Sequence, residues 1–107
     1  MIKVLPDAAS WFKREFDLEP GEGIRITAKG YGSTNKHEGI SISIWQAQPE
    51  HIFLETTVDG ILFFVEEVDE WLFNHDDLVI GYDHRLDEPI YEFTDFQKNI
   101  DLVTKKK

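Results

Sequence analysis

The sequence predicts an α+β fold that is mainly β, with one N-terminal helix and about seven mostly antiparallel strands in a small barrel or sandwich. A segment of helical periodicity comes first, and the apolar pattern then changes to a period of two over most of the remaining chain. Because one helix cannot cover both faces of a large open sheet, we expect the strands to curl or fold onto one another.

The helix is predicted over residues 6–18. A Pro-Asp pair begins the segment and Pro20-Gly21 follows it, as is common at the two ends of a helix. Its apolar side chains recur at the spacing of one helical face: Ala8, Trp11, Phe12 and Phe16. The segment should therefore form an amphipathic helix that packs against the sheet.

Six later segments have the periodicity or apolar content of strands: 24–28, 40–44, 52–58, 61–65, 78–82 and 90–93. Asp59-Gly60 is a strong signal for a tight hairpin between the third and fourth of them. The apolar run from Leu62 to Val65 predicts a strand that is covered on both faces. The last two strands are separated by an acidic loop at 83–89.

Two connecting segments differ from the strands in composition and in predicted structure. The polar loop from Gly30 to Gly39 contains three glycines, which permit backbone conformations that other residues avoid. Residues 66–73 are predicted to form one or two helical turns, with Val68, Trp71 and Leu72 on the buried side. The adjacent acidic pairs Glu66-Glu67 and Asp69-Glu70 are interpreted as a solvated acidic surface.

Composition excludes several classes of protein. The formal net charge of −10 opposes binding to phosphate backbones, so no nucleic-acid partner is expected. No apolar stretch is long enough to span a membrane and no signal peptide is evident, which predicts a cytoplasmic protein without a membrane partner. One domain is expected at 1–95, followed by an extension with a basic tail at 96–107.

Several short motifs follow one another between Val4 and Phe93. They are Asp7-Ala8-Ala9, Arg25 leading into Gly30-Tyr31-Gly32-Ser33, Asp59-Gly60, Trp71-Leu72, Gly81-Tyr82-Asp83 and Tyr91-Glu92-Phe93. In order and spacing they resemble the HesB-like family of A-type iron–sulfur carrier proteins. The resemblance implies the fold of that family and a connection to iron–sulfur cluster biosynthesis.

The chain contains no cysteine. Members of the HesB-like family use three cysteines, one after the glycine-rich loop and two in a Cys-Gly-Cys near the C-terminus. Here the first position falls near Ser33, and no Cys-Gly-Cys follows Phe93. Because iron–sulfur clusters are held mainly by thiolates, the resemblance implies a cysteine-free branch of the family. No iron–sulfur cluster or other cofactor is expected.

Histidines and carboxylates beside them are the candidate metal ligands: His37, Glu38, His75, Asp76 and His84. Such nitrogen and oxygen ligands bind zinc, manganese or non-haem iron when a fold brings them together. Their spacing matches no known metal motif. The alternative interpretation is that they are exposed polar residues in turns.

The sequence favours a non-enzymatic interaction or scaffold module over a catalyst. Tyr31, Ser33 and Trp45 are the candidate interaction residues: exposed aromatic side chains mark protein interfaces, and Tyr31 and Ser33 lie in the loop from Gly30 to Gly39. A metal-binding or small-ligand-binding protein is the alternative. A third hypothesis, an enzyme with a pocket beside Ser33, requires a histidine within reach of that hydroxyl, and no catalytic residue is predicted. A protein partner is compatible with the sequence, which specifies neither its identity nor the oligomeric state.

Overall fold

A computed structural model describes residues 1–30, 40–73 and 76–95. In chain order the elements are β1 (Ile2–Val4), α1 (Pro6–Glu15), β2 (Gly23–Gly30), β3 (Ile40–Ala47), β4 (Ile52–Val58), β5 (Ile61–Glu66), a 3₁₀ helix (Glu67–Phe73), β6 (Asp76–Asp83) and β7 (Glu88–Asp95). The predicted α+β class, mainly β, is confirmed. The predicted extension at 96–107 lies outside the described residues, so the division at residue 95 stays a prediction.

The strands form a three-stranded sheet in the order β1-β6-β7 and a four-stranded sheet in the order β3-β2-β5-β4. Three pairings are antiparallel, and the β1–β6 and β2–β5 pairings are parallel. In the part of the chain that the structure describes, the two sheets stay separate, so the barrel alternative is wrong. The hairpins β2–β3 and β4–β5 join side by side through β2 and β5, which leaves β3 and β4 as edge strands.

One hydrophobic core joins the two sheets, the helix and the 3₁₀ helix. Ile24 and Ile26 of β2 and Phe63 and Val65 of β5 supply it from one face of the four-stranded sheet. Phe12 of α1 packs edge-on against Phe63, with ring centroids 5.2 Å apart. The alternation of apolar residues in the strands therefore identifies the inner face of this sheet.

The α-helix ends at Glu15, three residues before the predicted end. Phe16 already has an extended backbone, although its N–H still donates to the Phe12 carbonyl at 3.0 Å. In extended chain the side chains two residues apart point the same way. Phe16 and Leu18 thus both pack against the core, which a continued helix would not allow.

The helical turns predicted at 66–73 form a 3₁₀ helix, but their predicted buried side is wrong for two of three residues. Val68 is 71% exposed and Trp71 is 46% exposed, whereas Leu72 is buried as expected. A 3₁₀ helix has three residues per turn, so residues three apart are eclipsed. Asp69 and Leu72 therefore point inward together, and Val68 and Trp71 share an outer row.

The predicted hairpin at Asp59-Gly60 is confirmed, and both residues have the positive φ that a tight hairpin turn requires, 53° and 78°. The strand that it leads into is covered on both faces, as predicted, because Phe63 and Phe64 are both fully buried. Strand β1 has only three residues and was not predicted. It pairs with β6, where Ile2 lies opposite Leu78.

Candidate functional site

A cleft of about 390 Å³ lies where β2 and β5 meet the 3₁₀ helix. Among the described residues, six line it: Arg25, Glu50, His51, Glu66, Glu67 and Val68. Arg25 comes from β2, Glu66 from the end of β5, and Glu67 and Val68 from the first turn of the 3₁₀ helix. Glu50 and His51 precede β4, which pairs with β5 through Ile52 and Glu66. The alternation of β2 and β5 places Arg25 and Glu66 on the outer face of the sheet.

Glu66 is a buried carboxylate, with only 5% of the residue exposed. Its two oxygens accept hydrogen bonds from the backbone N–H groups of Glu50 and His51, both at 2.9 Å. Within the described chain these bonds satisfy the carboxylate but bring no positive charge to it. Glu66 thus holds the residues before β4 in place, and no described residue forms an ion pair with its carboxylate.

Arg25 of the cleft forms an ion pair with Asp69, which is not among the described lining residues. An Arg25 Nη2 donates to the Asp69 Oδ2 at 3.3 Å, and Asp69 is buried while Arg25 is about one-third exposed. The Arg25 Nε is buried without a hydrogen-bond partner in the described structure. Because Arg25 is paired with Asp69, its charge is already balanced. The carboxylates of Glu50, Glu66 and Glu67 therefore give the described part of the cleft a net negative charge.

The described lining of the cleft is rich in carboxylates. Among the six lining residues there is no serine, threonine, cysteine or lysine to act as a nucleophile. No group of three or more histidine and carboxylate side chains is placed to hold a metal ion among residues 1–30, 40–73 and 76–95. What the cleft offers is negative charge beside the aliphatic side chain of Val68.

The metal-ligand candidates are not brought together in the part that is described. His37, Glu38 and His75 lie outside the described residues, as does the side chain of Asp76. His84 is exposed, and its Nε2 lies 3.0 Å from the Asp7 Oδ2. The metal hypothesis therefore stays a prediction.

Of the three candidate interaction residues, Tyr31 and Ser33 lie outside the described residues, as does most of the loop from Gly30 to Gly39. Trp45 lies in edge strand β3 and is 55% exposed. An exposed indole on an edge strand is available to a partner, although the role of Trp45 in binding stays a prediction.

Sequence reasoning missed the cleft. The interpretation of Glu66 and Asp69 as solvated acidic residues is wrong, because both are buried. The signal that was present is the position of single charges beside apolar strand residues: Arg25 stands between Ile24 and Ile26, and Glu66 closes the apolar run of β5. Such a charge in a strand requires a partner when it is buried.

No family model matches the chain. None of its described helices has the length and apolar character that a membrane crossing requires. A curated relative, named pyruvate dehydrogenase inhibitor, comes from Bacillus subtilis (strain 168) and is 37% identical over 87 residues. The match covers 81% of this chain and 92% of the relative.

This relationship corrects the resemblance to HesB-like iron–sulfur carriers, which is wrong, as is the function in iron–sulfur cluster biosynthesis that it implied. The motifs that carried the resemblance are ordinary local signals, such as a helix start, a glycine-rich loop and an Asp-Gly turn. The chemically specific part of the HesB-like pattern, its cysteines, is absent from the chain. The prediction that the chain is not an enzyme is confirmed by the relationship, since the relative is named as an inhibitor. With 37% identity over nearly the whole relative, the chain belongs to the family of the Bacillus subtilis pyruvate dehydrogenase inhibitor.

Proposed function

We propose that this chain is a regulatory protein that binds pyruvate dehydrogenase and inhibits it. The observation that carries the proposal is the match to the Bacillus subtilis inhibitor, which covers 92% of that protein. Nearly every segment with which the relative could contact its target therefore has a counterpart here. The expected protein partner becomes, in this proposal, pyruvate dehydrogenase.

The exposed surface supports a protein-binding function. Trp45, Val68 and Trp71 are large apolar side chains that remain roughly half to three-quarters exposed. Burying such side chains on association releases water and is favourable, and tryptophan is enriched among residues that dominate binding energy. They are thus the first side chains to test for contact with the enzyme.

The charge of the chain supports the same proposal in a second way. A formal net charge of −10 favours association with a positively charged protein surface and accelerates the encounter at low salt. The proposal includes a cytoplasmic location and inhibition without a bound cofactor. It predicts that inhibition weakens as salt is raised, because salt screens charges at the rim of an interface.

The direct test is an activity assay of pyruvate dehydrogenase purified from the organism of the chain. NADH formation is followed while the chain is added in increasing amounts, and we expect the rate to fall to a plateau as the enzyme becomes saturated. An unrelated acidic protein of similar size and net charge serves as the control and should leave the rate unchanged. Full activity at saturating chain, with no complex in size-exclusion chromatography, would overturn the proposal.

A further inference from the structure

The outer row of the 3₁₀ helix lies beside the cleft. Val68 lines the cleft itself, and Trp71 follows it one turn later, in the eclipsed position that a 3₁₀ helix gives to residues three apart. Both are exposed although they are apolar. This row therefore forms an apolar rim along one side of a negatively charged opening.

Two of the three cleft carboxylates are free to accept new bonds. Glu66 already uses both oxygens for backbone N–H groups of its own chain. Glu50 and Glu67 are exposed, and among the contacts between described residues only their backbone groups are engaged: each backbone N–H donates within the chain. Their carboxylates therefore face the opening as acceptors without a cation from the described residues.

The charge of the cleft favours a cationic ligand over an anionic one. Among the described lining residues Arg25 is the one cationic side chain, apart from a histidine when protonated, and its charge is matched by Asp69. An anionic ligand would meet three carboxylates with no free cation to offset them. A cation that enters the cleft instead supplies the counter-charge that buried Glu66 lacks.

From this charge complementarity we infer that the cleft receives an arginine or lysine side chain of the partner protein. The cationic head lies between the Glu50 and Glu67 carboxylates, with the Glu66 charge behind them, and the aliphatic stem packs along Val68 and Trp71. Long basic side chains commonly bury their stem against apolar surface while the charged head finds acceptors. This inference rests on the proposed function and names the chemistry by which the chain binds its target.

The test compares two double variants that remove the same amount of charge. Glu50→Gln with Glu67→Gln neutralises the two free carboxylates and preserves their backbone hydrogen bonds. Glu88→Gln with Glu92→Gln is the matched control, because both residues are exposed, lie in β7 and do not line the cleft. Binding to pyruvate dehydrogenase is measured by calorimetry, and thermal unfolding verifies that both variants are folded. We expect the cleft variant to weaken binding at least tenfold and the control less than twofold.

A probe that does not involve the enzyme separates failure of this inference from failure of the proposed function. Acetyl-arginine-amide is titrated into the isotope-labelled chain, with acetyl-citrulline-amide as an uncharged analogue of the same shape. Saturable NMR shifts at His51, Glu67 and Val68 with the arginine compound alone would support the cleft site, even if the enzyme proves not to be the target. Identical shifts with both compounds, or none, would overturn it, as would equal binding of the two double variants to the enzyme.

Discussion

The two faces of the four-stranded sheet are both buried at β5, but by different means. Phe63 points to the inner face and belongs to the hydrophobic core, where it contacts the ring of Phe12. Phe64 points to the outer face and is also fully buried, yet it does not belong to that core. Its neighbours on this face include Arg25, which pairs with it across the strands, and Glu66.

This difference shows that the inner face of the sheet mainly stabilises the fold, whereas the outer face positions groups for recognition. Apolar contacts are non-directional and tolerate repacking, so the inner face is defined mainly by size and hydrophobicity. The outer face depends on a small number of directional bonds, those of Glu66 to the backbone and of Arg25 to Asp69. Polar groups that form such bonds fix the position of a surface, and other groups of the same size cannot replace them.

The largest expected effect is on the inner face. Phe63→Ala should lower the free energy of unfolding by about 3–5 kcal/mol, because it removes a fully buried ring and leaves a cavity against Phe12. Urea denaturation followed by circular dichroism measures this loss. The control is Phe53→Ala, since Phe53 is more than one-third exposed. Equal losses for the two variants would contradict the distinction between core and periphery.

The next effect tests how closely β2 and β5 approach. A Cβ added at Gly23 would lie 2.6 Å from the Leu62 carbonyl oxygen, so backbone must shift to accept it. Gly23→Ala should therefore destabilise the fold by about 1–3 kcal/mol, the usual cost of overpacking. Gly81→Ala, whose added methyl would meet only a Leu5 side chain at 3.6 Å, is the matched control. A neutral Gly23→Ala would show that the two strands are more loosely joined than described.

A smaller effect is expected for the hydrogen bonds that Glu66 accepts on the outer face. Glu66→Gln keeps the size of the side chain but replaces one acceptor oxygen with an amide that cannot accept the backbone N–H. The cost should be about 1–2 kcal/mol, in the lower part of the range for a donor left without a partner, because Glu50 and His51 are themselves exposed. Hydrogen exchange at the Glu50 and His51 amides should accelerate in the variant. If both amides stayed as protected as in the unaltered chain, Glu66 would not be what orders this loop.

The smallest effect concerns an exposed carboxylate at the edge of the same sheet. The side chain of Gln46 and the backbone N–H of Glu19 donate to Glu22, and these bonds hold the pKa of Glu22 below its usual value. A lowered folded-state pKa means that the contribution is present above the unfolded pKa and is lost as pH falls through the folded one. In an NMR titration, Gln46→Ala should move the pKa of Glu22 back towards the ordinary value. An unchanged midpoint would contradict this assignment.

Much of the fold follows from local patterns in the sequence. The Asp59-Gly60 turn and the strand segments rest on interactions between neighbours in the chain, which periodicity detects. The buried side of the 3₁₀ helix did not follow, because a repeat of 3.6 residues puts Val68, Trp71 and Leu72 on one face. With three residues per turn, Leu72 separates from the other two and is buried while they are exposed. Strand β1 is too short to show a period, and parallel pairing to β6 creates it.

The cleft could not be predicted for a related reason. The Arg25–Asp69 pair joins residues 44 positions apart, and the Glu66 bonds reach back to residues before β4. The local sequence shows that Arg25 and Glu66 stand beside apolar strand residues, but it does not show which residues pair with them. The parallel pairing of β2 with β5 and the antiparallel pairing of β4 with β5 bring these groups to one place.

Because Trp71 points outward, its fluorescence can report whether a partner covers the 3₁₀ helix. An indole that is nearly half exposed emits at longer wavelength than one shielded from water, so a partner that covers the 3₁₀ helix should shift its fluorescence towards the blue. Replacing Trp11 and Trp45 with phenylalanine would leave Trp71 as the single tryptophan of the chain. The emission maximum of such a protein would then report occupancy of this one surface in real time.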